Sequence, residues 1–434
     1  MASAKKPDKH SKQSVRQQKV FFAGILIVFL LLAAICFFLF RLMFPAGEDA
    51  SLTPTPSPEA RSQPSPVASV RSPSRSASAP TPTPAPTFVP RTATIRAGGD
   101  VMVHDLQREF AEQSDGTYDF FPQFYMIADS LADADYTILN LETTIGLYKD
   151  QDYSGYPLFN APEELLDALK DSGVDFLTLA NNHILDRYFD GMVATIDHVE
   201  ERGFDFAGAN RTQEEKDTPK IVEVNGIRIG FLCYTQITNG MEEHSDPKAT
   251  EFGVNYLKKA DLSQDVQALR DAGAEVVIAM PHWGAEDSLE PTRNSINYAT
   301  RMAAAGVDIV LGSHPHVIQP VEMYTFTLNG EEKQFLVAYS LGNFISNMTR
   351  KNTYAGILLE FTLVEKEEGG FLIEDVGYVP VYCWRERRFI RTIPSAKYYE
   401  QKPEGMSDSD FREMRKSAET IAEVVGDEFT LLLE

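Results

Sequence analysis

Residues 275–320 read EVVIAMPHWGAEDSLEPTRNSINYATRMAAAGVDIVLGSHPHVIQP. An apolar strand signal over 275–280 runs into Pro281-His282-Trp283-Gly284. A helix pattern follows over 295–305. A second strand signal over 308–311 ends in Gly312-Ser313-His314-Pro315-His316. Strand, helix, strand, with a histidine-bearing loop after each strand, is the repeating unit of an α/β fold.

The alternation continues on both sides of this stretch. Upstream, strands are expected over 94–97, 136–141 and 174–180. Helices are expected over 161–172, with Pro162 in the first turn and Gly173 as the stop, and over 191–202, closed by Gly203. Asn225-Gly226 joins strand signals over 221–224 and 227–232 into a hairpin. A helix is expected over 262–272. Downstream come longer strands over 321–328, 333–339, 354–364 and 371–381. The last helix covers 407–425, where Phe411, Met414, Ala418, Ile421 and Val425 recur on one face. Mixed strands and helices in this order predict two packed mixed sheets flanked by helices, a four-layer α-β-β-α sandwich.

Polar residues collect where the apolar runs end, which is where binding groups sit in such folds. The clusters are Gly99-Asp100-Val101-Met102, Asn140-Leu141-Glu142, Asn181-Asn182-His183, the two loops quoted first, and Ser340-Leu341-Gly342-Asn343-Phe344. Five of the eight histidines fall in or beside them: His104, His183, His282, His314 and His316. Taken singly, each residue has an ordinary structural reading: Asp100 as a turn or cap, Glu142 as a solvated carboxylate, Asn181 and Asn182 as caps, His282 as a packed ring. Together they offer Asp, Glu, Asn and His without a thiolate. That set suits one or two divalent ions such as Mn, Fe or Zn. Paired ions sharing a carboxylate clamp a phosphoryl group and acidify water. No Gly-x-Ser-x-Gly elbow, phosphate-binding loop or dinucleotide fingerprint is present.

The ordered motifs GDVM, NLE, NNHxxD (Asn181 to Asp186), HWGxE (His282 to Glu286), GSHPHVIQP and SLGNF resemble the CapA family of poly-γ-glutamate capsule biosynthesis proteins. This is a branch of the calcineurin-like metallophosphoesterases, and the resemblance runs over residues 93–344. It implies a metallophosphoesterase-like fold and a role for each matching residue. Asp100 and His316 would hold a first metal. Asn182, His282 and His314 would hold a second, and Glu142 would bridge the two. His183, oriented by Asp186, would act as general acid or transition-state donor. Met102 departs from the wider superfamily, which has His there, and a thioether is a poor ligand for a hard cation. His104, two residues on, is the nearest substitute. Membrane-embedded polymer synthase subunits are the partners the resemblance implies.

The chain has 434 residues and a formal charge of -23, and this charge is unevenly spread. Residues 1–91 hold 11 Lys+Arg against 4 Asp+Glu, a net of +7. Residues 92–434 hold the other 29 against 59, a net of -30. Residues 1–19 form a basic tail. Residues 20–40, VFFAGILIVFLLLAAICFFLF, carry no charge and would span roughly 31 Å as a helix, the thickness of a bilayer core. A transmembrane signal-anchor is expected rather than a cleaved signal peptide, since no small-x-small site follows the run. The basic flank places the N-terminus in the cytoplasm and residues 92–434 outside the cell membrane. Residues 41–91, with 12 of the 25 prolines between Pro45 and Pro90, read as a disordered stalk. Extended, it could reach roughly 140 Å.

An acidic outer domain excludes nucleic-acid binding, which needs a basic face. It also disfavours surface capture of an anionic capsule polymer. WRERRFIR, with Arg385, Arg387, Arg388 and Arg391, is the one basic cluster that could meet a polyanion. Cys233 and Cys383 allow one bridge or two thiols. The expected function is a membrane-anchored protein of capsular poly-γ-glutamate synthesis or export with a metal-dependent, phosphoesterase-like hydrolase centre acting on a phosphorylated envelope substrate. The alternatives are a non-catalytic accessory or scaffold subunit of the synthase, and a hydrolase or transferase acting on the γ-glutamyl polymer.

Overall fold

The structure, a computed structural model, describes residues 88–146, 152–386 and 389–433. The expected basic tail, membrane helix and most of the stalk lie outside these residues, as do Arg387 and Arg388. One compact unit spans residues 84–434. Among the described residues no helix is long and apolar enough to cross a membrane.

Among the described residues fifteen strands form two sheets. The first contains β1 (Thr92–Val101), β2 (Tyr136–Leu141), β3 (Phe176–Thr178), β4 (Asp205–Ala207), β11 (Asn343–Ile345), β12 (Ala355–Glu365), β13 (Phe371–Glu386), β14 (Phe389–Pro394) and β15 (Thr430–Leu431). Its order is β14-β13-β12-β1-β2-β3-β4, with β11 on β1 and β15 on β13. The second contains β5 (Lys220–Val224), β6 (Ile227–Thr235), β7 (Val276–His282), β8 (Ile309–Leu311), β9 (Val321–Leu328) and β10 (Glu331–Ala338). Its order is β5-β6-β7-β8-β10-β9. Both sheets are mixed. β1 to β4 pair in parallel, as do β6, β7, β8 and β10, while β12 and β13 and the β5–β6 and β9–β10 hairpins are antiparallel.

The helices are α1 (Asp105–Ala111), α2 (Ala128–Ala132), α3 (Glu164–Asp171), α4 (Tyr188–Glu201), α5 (Gln213–Asp217), α6 (Leu262–Asp271), α7 (Arg293–Ala305) and α8 (Asp408–Val425).

Period-two alternation sorts the apolar residues into layers. Ile95, Ile138, Leu359 and Phe361 of the first sheet meet Ile229, Val276, Ile278 and Leu336 of the second in one core. From the opposite face of the first sheet, Leu139, Leu141, Leu177 and Leu358 pack on α1, α3 and α4. From the opposite face of the second, Val277, Ala279, Val310 and Val337 pack on α6 and α7. The result is helix, sheet, sheet, helix.

Several bounds differ from the sequence pattern, for tertiary reasons. The helix expected from residue 161 starts at Glu164, because Ala161 is held in a bridge to Ile145. The strand expected over 174–180 shortens to Phe176–Thr178, because the following residues turn into the site. β14 starts inside the basic cluster WRERRFIR and pairs along β13. β4 and α1 also escaped the pattern, being only three and seven residues long. Cys233 and Cys383 are both buried and free, so the bridge is excluded.

Candidate metal centre

Parallel strands deliver their C-terminal ends to one place, and the polar clusters follow those ends. Asp100 is the next-to-last residue of β1, and Glu142 follows β2. The 181–186 segment follows β3, His282 ends β7, and His314 and His316 follow β8. Glycine makes the close approach at β1 feasible. A Cβ on Gly99 would lie 1.8 Å from the Gly342 carbonyl oxygen, and the Asp100 amide donates to that same carbonyl at 3.0 Å. His314 and His316 both take positive φ, +95° and +58°, a strained backbone that turns this loop into the site.

The side chains converge in a buried space. Asp100 and Glu142 are fully buried, and His282, His314 and His316 are at most 6% exposed. Asp100 Oδ2 lies 3.1 Å from His316 Nδ1, and Asn140 Nδ2 donates to Asp100 Oδ1 at 2.7 Å. Glu142 Oε1 is 3.6 Å from His282 Nε2 and 3.7 Å from His316 Nε2. His282 Nε2 also lies 2.9 Å from Asn182 Oδ1 and 3.1 Å from His314 Nδ1, while its Nδ1 is 2.9 Å from Ser313 Oγ. Two ligand triads result, Asp100–Glu142–His316 and Glu142–His282–His314, with Glu142 in both.

Burial, then the Asp100 charge, pushes the Glu142 carboxyl well above its usual range. Burial, then His314, holds His282 well below the usual imidazole range. Burial, then His316, brings His314 down to about 4. Burial also opposes protonation of His316, but its hydrogen bond to Asp100 and the Asp100 charge outweigh it and raise the pKa.

Neither Glu142 oxygen has a hydrogen-bond partner. A buried carboxyl without donors is costly, and two of the imidazoles around it, His282 and His314, are held in the neutral form. The residues therefore fit a divalent cation. Neutral His282 and His314 offer lone pairs, and a cation would satisfy the charge that no protein donor meets.

The predicted His183–Asp186 pair is formed. His183 Nδ1 lies 2.7 Å from Asp186 Oδ2, which also accepts the Phe159 amide, and the His183 ring stands edge-on to Phe159. Asn181, by contrast, is structural: it donates to the Leu141 carbonyl and accepts the His183 amide. Met102 is buried with its sulfur against Ser346 Oγ. His104 does not substitute for it. Its Nδ1 faces the Asn347 amide and Gln107, and it belongs to none of the potential ligand groups found among the described residues. Arg391 is packed over Phe389 at 3.7 Å and donates to Tyr125 Oη, so it is not a free polyanion contact.

Four residues were not singled out from sequence. Asn140 and Ser313 buttress Asp100 and His282, and Asn343 Oδ1 lies 3.1 Å from His316 Nδ1. Glu286 forms a further potential ligand group with His314 and His316, at the exposed rim, where Arg350 bonds it at 2.8 Å. All four lie within the quoted motifs, so their position beside the ligands was the available signal.

Residues 94–348 match the family described as bacterial capsule synthesis protein PGA_cap. Capsule biosynthesis protein CapA of Bacillus anthracis is 28% identical over 291 residues, covering 65% of this chain and 66% of that protein. PGA biosynthesis protein CapA of Bacillus subtilis (strain 168) is 26% identical over 284 residues, covering 64% and 70%. Among solved structures, the calcineurin-like phosphoesterase YfkN from Bacillus subtilis is 15% identical with a TM-score of 0.41, covering 77% of this chain and 99% of that one.

Proposed function

The chain belongs to the bacterial capsule synthesis protein family, and on that premise we propose that it serves poly-γ-glutamate capsule synthesis or export as a membrane-anchored protein with a metal-dependent hydrolase centre. The observation that carries the reading is Glu142, fully buried, without a hydrogen-bond donor on either oxygen, and shared by two ligand triads. Asp100 and His316 would hold one ion, and His282, His314 and Asn182 the other. Divalent ions there supply Lewis acidity and lower the pKa of water.

The chain's own residues do the rest. Asp186 fixes the His183 ring through Nδ1, leaving Nε2 to give a proton to a leaving group. Phe159 and the buried surroundings keep water from that pair. Asn140 and Ser313 hold Asp100 and His282 in place, as outer partners of metal ligands do. Residues 20–40 would anchor the protein, and the stalk would carry the centre outside the membrane, within reach of membrane-embedded synthase subunits.

The test is elemental analysis of the full-length protein in detergent, with turnover of a phosphodiester and of γ-glutamyl polymer. One or two ions per chain are expected, with ions and turnover lost in His282→Ala. A wild-type protein that retains no ion yet supports capsule formation would overturn the reading. Retained ions without turnover would favour the accessory-subunit alternative.

A further inference from the structure

A second cavity, of about 370 Å3, lies between α1, the β13–β14 end of the first sheet and the start of α8. This falls within the range of small-ligand sites. Its lining combines opposite charges that do not neutralise each other. Arg385 has a single side-chain partner, the neutral Asn347 amide oxygen at 3.3 Å, and forms no ion pair among the described residues. Glu386, Asp410 and Glu413 share the same space, and none is paired with a cation among the described residues, although Asp410 accepts from Ser407 Oγ and Glu413 from Tyr354 Oη. Glu386 Oε1 is shielded from solvent yet has no hydrogen-bond partner. Leu106 and Phe110 supply an apolar wall. A structural cluster would bring the guanidinium and a carboxylate together, since a shielded group without a partner costs free energy. Kept apart around a cavity, they match a ligand carrying an ammonium and a carboxylate on a short aliphatic frame.

The cavity is linked to the metal centre through a short piece of backbone. Asn347, which accepts from Arg385, donates its amide to His104 Nδ1 at 3.3 Å. The preceding Ser346 touches the Met102 sulfur, two residues from Asp100.

We propose that this cavity binds the free amino end of a γ-linked glutamyl chain. That end alone carries an α-ammonium and an α-carboxylate on one carbon. Arg385 takes the carboxylate in a charge-assisted bond, Glu386 and its neighbouring acids take the ammonium, and Leu106 and Phe110 cover the methylenes. The assignment deepens the polymer-handling role proposed above and rests on it. It also resolves an electrostatic difficulty: the polyanionic body of the chain is not captured, and only its zwitterionic end is.

The experiment is calorimetric titration of metal-stripped, full-length protein in detergent with a synthetic γ-glutamyl tetramer. The free-amino tetramer should bind at least ten times more tightly than its N-acetylated form. Arg385→Gln and Glu386→Gln, each melting as the wild type does, should weaken it by a similar factor. Free glutamate should displace the tetramer and N-acetylglutamate should not. Equal binding of free and acetylated tetramers, or unchanged binding in both variants, overturns the assignment. His282→Ala separates the two readings, because it should lose ions while still binding the tetramer.

Discussion

Glu142 Oε1 stands 3.6 Å from His282 Nε2, although Glu142 follows a strand of one sheet and His282 ends a strand of the other. The packing of the two sheets thus places an undonated carboxylate against a neutral ring. Glu142→Gln removes the ionisable group and keeps the shape. In metal-stripped protein, where burial already disfavours the charged carboxyl, it should change stability by less than about 1 kcal/mol. In metal-loaded protein it should lower stability and remove bound ions. Melting curves of both proteins, with and without chelator, check that the gap opens only with metal. A gap that chelator does not change would argue against a cation there.

His183 is bonded to Asp186 and to none of the triad residues. His183→Ala should therefore keep the wild-type ion content while lowering phosphodiester turnover about 10²–10⁴-fold, the range of a lost general acid. Asp186→Asn, which keeps the ring in place with a weaker partner, should lose less. Elemental analysis alongside kinetics decides the matter. Loss of ions in His183→Ala would make it a ligand and not a proton donor.

The candidate ligands could be picked out in the sequence because each of them follows an apolar run, and a strand end is a local property. Asp100, Glu142, Asn182, His282, His314 and His316 were all legible in this way. Glu286, Asn343 and the separation of Arg391 from Arg385 were not. Asn343 reaches His316 only because β11 adds to β1, and that pairing is long-range. Arg391 is withdrawn by Phe389 and Trp384, which face it only once β14 folds back on β13. The same principle governs the layers. β2 and β7, buried on both faces, were visible as short apolar runs, whereas three-residue β4 gave no pattern to read.

Gly99 lets β1 approach the Gly342 carbonyl, where an added Cβ would lie at 1.8 Å. Gly99→Ala should destabilise the protein by more than about 3 kcal/mol, since rigid backbone must move. It should also displace Asp100, the next residue, and reduce bound ions. Gly330→Ala is the control. Its added Cβ meets nothing within 4 Å, so only the cost of its φ of +87° remains. Chemical denaturation of both variants should show a large loss for Gly99 and about 1 kcal/mol for Gly330. Equal losses would mean that the close approach at β1 is not what constrains the site.

At the far end of the same strands, Arg91 ties the two sheets together. Its Nη2 lies 2.8 Å from Glu275, beside β7, and 2.6 Å from Glu365, at the end of β12. The guanidinium hydrogen bonds hold the Glu365 carboxyl at about 2, against an ordinary value of 4.5, and also hold Glu275 below its usual range. A carboxyl whose folded pKa is depressed stabilises the fold above its unfolded pKa and loses that contribution as pH falls through the folded one. The clamp should therefore be complete at neutral pH and fade between about pH 4.5 and 2. All three side chains are partly exposed, so the effect is modest and weakens with salt. Arg91→Ala should melt below the wild type at pH 7, and the gap should narrow steadily as pH is lowered from 5 to 2. A gap that is constant across that range would assign the loss to packing of Arg91 on Phe371 instead of to its charge.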